Sequence, residues 1–78
     1  MKATVIVRPK DGILDPQGDA VRTALDHLGF SVDEARVGRL IELTFEGRQA
    51  ARAELERMCE QLLANPLIES YEIEVDGA

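Results

Sequence analysis

The sequence predicts a small α+β domain with elements in the order β-α-β-β-α-β. Three observations predict it. Apolar residues alternate with period two along 3–9, 32–46 and 67–75, the spacing of a half-buried strand. They recur at helical spacing along 16–28 and 48–64. The backbone breakers Pro9, Gly29 and Asn65-Pro66 fall between these stretches.

In the first strand Ala3, Val5 and Val7 point one way and Thr4, Ile6 and Arg8 the other. Pro9 ends it, because proline brings no N–H to a ladder. Lys10 to Leu14 is a loop with Gly12 as its hinge. Asp15-Pro16 reads as a helix N-cap followed by proline at the first helical position. The helix carries Ala20, Val21, Ala24, Leu25 and Leu28 on one stripe, and Gly29 stops it. Gly18 inside the first turn costs about 1 kcal/mol against alanine, so a packing or contact reason is expected.

Residues 32–46 read as a hairpin. A three-residue loop, Gly38-Arg39-Leu40, keeps Ala35 and Val37 on the same face as Ile41, Leu43 and Phe45. The second helix, 48–64, places Ala51, Leu55, Met58, Cys59, Leu62 and Leu63 inward. Arg52 with Glu56 and Glu54 with Arg57 pair on its outer face. The last strand, 67–75, turns Tyr71, Ile73 and Val75 inward and Glu72 and Glu74 outward. The tail, 76–78, has nothing to bury and is expected to fray.

Right-handed crossovers and uncrossed loops favour one assembly of these elements. It is the ferredoxin-like split βαβ arrangement, a four-stranded antiparallel sheet with both helices on one face. All 78 residues form a single domain. A domain this small buries only about 60% of its unfolded surface, so self-association is a natural supplement to its core.

Composition narrows the function. Nine basic residues against fifteen acidic give a net charge of −6, which argues against nucleic acid and anionic membrane. The outward positions of the middle strands offer no aromatic on which an RNA base could stack. No apolar run approaches the roughly 20 residues of a membrane helix, and Arg8 to Asp11 interrupt any signal-peptide core. A single cysteine, Cys59, excludes an internal disulfide and a cysteine-based metal site, and points to a reducing compartment, the cytoplasm. Neither a Cys-x-x-Cys nor a glycine-rich phosphate loop is present.

No catalytic constellation emerges. His27 reads as a rim residue, Cys59 as a buried thiol, and Glu69, Glu72 and Glu74 as a solvated strand face. The open sheet face is expected to show Thr4, Ile6, Arg8, Arg36, Glu42, Thr44, Glu72 and Glu74. Interleaved charges of this kind are either solvated or an interface.

Three stretches resemble a known family. They are Asp11-Gly12-Ile13-Leu14-Asp15-Pro16-Gln17-Gly18 with Ala20-Val21 and Leu28-Gly29; Val37-Gly38-Arg39 leading into Ile41-Glu42-Leu43-Thr44; and Met58 to Tyr71, which contains Asn65-Pro66-Leu67-Ile68. With the first strand they make the chain similar to PurS, the small subunit of phosphoribosylformylglycinamidine synthase. Position 39 is arginine where the family usually has lysine.

The resemblance implies a role rather than a catalytic site. The synthase converts formylglycinamide ribonucleotide, ATP and glutamine into formylglycinamidine ribonucleotide, ADP, phosphate and glutamate. ATP and magnesium belong to a large subunit, and a separate glutaminase releases ammonia. The PurS-like chain binds no cofactor or metal itself. It forms a homodimer or tetramer and supports assembly and ammonia transfer. Exposure and loop position single out Arg8, Lys10, Asp11, Leu14, Arg36, Gly38 and Arg39 as subunit contacts. The alternative is an amino-acid-sensing domain of the ACT type, which shares the element order and binds its ligand near the first loop.

Overall fold

The structure, a computed structural model, describes residues 1–76. Strand β1 spans Lys2–Pro9, helix α1 Pro16–His27, strand β2 Arg39–Thr44, helix α2 Arg52–Met58 and strand β3 Glu69–Asp76. A π-helical turn, Cys59–Leu63, continues α2. The sheet is three-stranded, in the order β2-β1-β3, and both pairings are antiparallel.

The period-two alternation sets the register. Val5 stands opposite Ile41 on one side and Ile73 on the other, and Ala3 stands opposite Leu43 and Val75. That apolar face meets α2 and the π turn. Ala3, Val5, Val7, Ala50, Leu55, Cys59, Ala64 and Ile73 form the core, with Met1, Ile41, Leu43, Phe45, Met58, Leu63 and Tyr71 packed around it. Asp76 pairs with Lys2 at the end of β3; Gly77 and Ala78, the rest of the tail expected to fray, lie outside the described residues.

Helix α1 keeps its expected ends. Asp15 caps it, Pro16 opens it, and Gly29 closes it with φ +95°. The N–H groups of Gly29 and Phe30 donate to the carbonyls of Asp26 and Leu25 at 3.0 Å each, the pattern of a Schellman close.

Three expectations are corrected. The first is the fourth strand. Residues 31–38 form no ladder, and the expected loop residues Arg39 and Leu40 already belong to β2, opposite Val7 and Ile6. A three-residue hairpin loop uses a residue with positive φ. Among the described residues positive φ occurs only at Gly12, Gly29 and Gly47, so the chain does not turn back at Gly38. The Val37 N–H, a group the hairpin ladder would use, donates to Asp15 instead, and the Arg36 guanidinium ties the segment to Asp11 and the Pro9 carbonyl.

The second correction follows from the first. Helix α1 does not cover the sheet. Its stripe stays largely open, with Leu28 73% exposed, and only Gly18 of the helix is buried. The molecule is accordingly long, 49 × 25 × 14 Å, with a radius of gyration of 15.8 Å. A compact chain of this length would have a radius near 11–12 Å.

The third concerns α2. It begins at Arg52, four residues later than expected, because Gly47 has φ +74° and Ala51 brings no side-chain cap. The π turn shifts the helical phase, so Ala64 is buried while Leu62 is 82% exposed rather than in the core. Arg52 pairs with Glu56 at 3.5 Å as expected, whereas Glu54 pairs with Arg48 at 3.1 Å instead of Arg57.

Candidate functional site

The residues singled out as contacts gather where β1 ends. Five of them, Arg8, Leu14, Arg36, Gly38 and Arg39, line two adjoining hollows that share Gly38 and Arg39; Lys10 and Asp11 stand beside them in the first loop. The pleat of β1 explains Arg8, whose side chain projects to the face opposite the core. Gly38 is required by contact. A Cβ there would stand 2.2 Å from the Val7 carbonyl oxygen, so only glycine lets the incoming chain cross the end of β1 this closely.

Each cation at this end has a partner. Arg8 meets Glu72 at 2.7 Å. The Lys10 ammonium donates to the Pro66 carbonyl at 2.7 Å. Arg36 donates to Asp11 at 2.9 Å and to the Pro9 carbonyl, and it borders the open face from outside the strands, in the hollow lined by Ile6, Arg8 and Leu40. Arg39 donates through both terminal nitrogens to the two oxygens of Glu69, at 2.9 and 3.2 Å, and to the Leu63 carbonyl at 2.7 Å. Leu14 has no comparable anchor and is 85% exposed.

Glu69 is therefore not part of a solvated strand face, although Glu72 and Glu74 are exposed. Its side chain is only 17% exposed. The Arg39 guanidinium, aided by the Asn65 N–H, holds its carboxyl below the usual carboxylate range. Asp15 lies at the same end. Its carboxyl is held low chiefly by the N–H of Val37, then by that of Gly18 and by the Arg36 charge. The sequence shows Asp15 only as a helix cap; its bond to Val37 spans 22 residues and leaves no local signal.

The chemistry available is that of contact. No group of three or more His, Cys, Asp or Glu that could hold a metal occurs among the described residues. His27 is exposed near the end of α1. Cys59 is buried in the core, and burial pushes its thiol up, away from the reactive thiolate. What the site offers is ordered loops, paired charges and an uncovered helix.

Comparison with known proteins gives this surface its setting. The family model for PurS, phosphoribosylformylglycinamidine (FGAM) synthase, matches residues 2–77. The synthase subunit PurS of Methanocaldococcus jannaschii is 44% identical over 78 residues, spanning 96% of this chain and 94% of the relative. A crystal structure of M. jannaschii PurS, described as one of the subunits of formylglycinamide ribonucleotide amidotransferase in the purine biosynthetic pathway, superposes with TM-score 0.82 at 42% identity. It covers 99% of this chain and 96% of that one. A chain in the structure of PurLQS from Thermotoga maritima matches with TM-score 0.71 at 28% identity, covering 94% and 93%. The same small α+β frame thus recurs both alone and within an assembly, and the chain belongs to the PurS family, a subunit of the ligase phosphoribosylformylglycinamidine synthase of purine biosynthesis.

Proposed function

We propose that the chain acts in the synthase through contacts and not through chemistry of its own. It joins the large synthetase subunit to the glutaminase and supports passage of ammonia between them. ATP and magnesium are bound on the large subunit, and the assembly works in the cytoplasm. The end of the sheet carrying Arg8, Lys10, Asp11, Leu14, Arg36, Gly38 and Arg39 is the surface offered to a neighbouring subunit.

The observation that carries this reading is the uncovered apolar stripe of α1, with Val21 and Leu28 open to solvent on a chain whose own core uses none of that helix. So much unpartnered apolar surface on so small a domain calls for a partner. A second copy fits it. Each chain has a projecting α1, a shallow apolar groove at Leu43, Met58, Leu62 and Leu63, and a free β2 edge where the fourth strand was expected. In an isologous pair, residues 31–37 of one copy take the vacant fourth-strand place beside β2 of the other.

The test is reconstitution of glutamine-dependent synthase activity from the large subunit and the glutaminase of the same organism, with and without this chain. Activity that requires the chain supports the proposal. Full activity without it overturns it.

A further inference from the structure

The Asp15 carboxylate accepts two hydrogen bonds, and each comes from a different end of one segment. Its Oδ1 accepts from the Gly18 N–H at 3.0 Å, in the first turn of α1. Its Oδ2 accepts from the Val37 N–H at 2.8 Å, one residue short of the crossing at Gly38. An N-cap needs only the first of these. The second closes the base of the whole excursion from 16 to 37.

Gly18 belongs to the same tie. A Cβ there would stand 2.1 Å from the Ala35 carbonyl oxygen and 2.6 Å from Asp15 Oδ2. The glycine weakens the helix and in return lets residues 35–37 lie against its first turn. Arg36 adds a third fastening, to Asp11 and to the Pro9 carbonyl. Among the described residues none of α1 joins the apolar core, and Val21, Leu28, Phe30 and Val32 stand exposed along the excursion. A loose arm this apolar would fold back onto the groove at Leu43, Met58 and Leu62, which lies open on the same chain.

We propose that Asp15 is a positioning residue for self-association: by fastening both ends of the 16–37 segment it holds α1 off its own sheet and sets the apolar stripe in reach of a second copy. The inference rests on the self-association reading above.

Asp15→Asn separates the two bonds. Asparagine is as good an N-cap as aspartate, but its amide NH₂ replaces the oxygen that accepts from Val37. The full-length variant is compared with the parent by sedimentation equilibrium, circular dichroism and amide hydrogen exchange. The expected result is unchanged helix content, Val37 exchange faster by about tenfold or more, and self-association weaker by about tenfold or more, the scale of one lost charge-assisted hydrogen bond. Gly18→Ala, which wedges the same base apart, weakens association in the same direction. A parent that associates together with an Asp15→Asn variant of equal affinity overturns the positioning role alone. A parent that stays monomeric at every concentration overturns the self-association reading, and the inference with it.

Discussion

Replacing Gly38 by alanine sets two calculable effects against each other. In open backbone the change stabilises a protein by about 0.4–1 kcal/mol, because alanine loses less freedom on folding. Here the new Cβ would lie 2.2 Å from the Val7 carbonyl oxygen, 3.3 Å from the Val7 carbonyl carbon and 3.4 Å from the Arg8 Cα. All three are backbone atoms. Val7 is held from both sides, opposite Arg39 in β2 and Tyr71 in β3, so it cannot swing aside as a side chain would. Opening the closest contact to 3.0 Å, below which real Cβ contacts essentially do not occur, moves one backbone past the other by at least 0.8 Å. Overpacking of this kind costs about 1–3 kcal/mol. The clash wins, for a net loss of about 1–2 kcal/mol, which in a domain this size lowers the melting temperature by roughly 5–15 °C. Thermal unfolding followed by circular dichroism reads it. A Gly38→Ala variant that melts at or above the parent temperature refutes the close crossing.

Leu55→Ala empties the middle of a core of eight buried residues and costs about 2–5 kcal/mol in a denaturant titration; a loss under about 1 kcal/mol would mean that α2 does not rest on the sheet as described. Arg39→Glu faces Glu69 with a like charge and removes the bidentate pair, so co-purification with the other synthase subunits is expected to fall, and unchanged assembly and activity take Arg39 off the interface. The carboxyls of Asp15, Glu54 and Glu69 are all held below their ordinary range, by the Val37 N–H, by Arg48 and by Arg39 respectively. A depressed carboxyl stabilises the fold above its unfolded value, about 4, and loses that contribution as pH falls through the folded value. The melting temperature is therefore expected to drop steadily as pH is lowered from about 5 to 2; a flat or rising profile contradicts the three pairings.

Much of the frame that carries the candidate site is legible in the sequence because its signals are short-range. The Asp15-Pro16 opening, the Gly29 stop and the alternation of Ala3, Val5 and Val7 each depend on neighbours a few residues away, and each stands where local rules place it. Glu69 differs from Glu72 and Glu74 in parity, standing on the face of Tyr71 and Ile73, so period two already separates it from them. What leaves no local signal is its partner, Arg39, 30 residues away.

The sequence by itself determined two helices and three of the strands in their order along the chain, the apolar faces of those strands, the caps of α1 and, through motifs such as Asp11 to Gly18 and Asn65 to Ile68, the PurS family. Only the tertiary structure decided what residues 31–38 do. Their alternation is that of a strand, and alternation does not name the partner. Whether they fold back on β2 depends on which acceptor claims the Val37 N–H, and that acceptor, Asp15, lies 22 residues away. Once Asp15 holds it and Gly38 crosses Val7 without a turn, the fourth strand is absent from the chain's own sheet. Helix α1 is then carried outward with its apolar stripe uncovered.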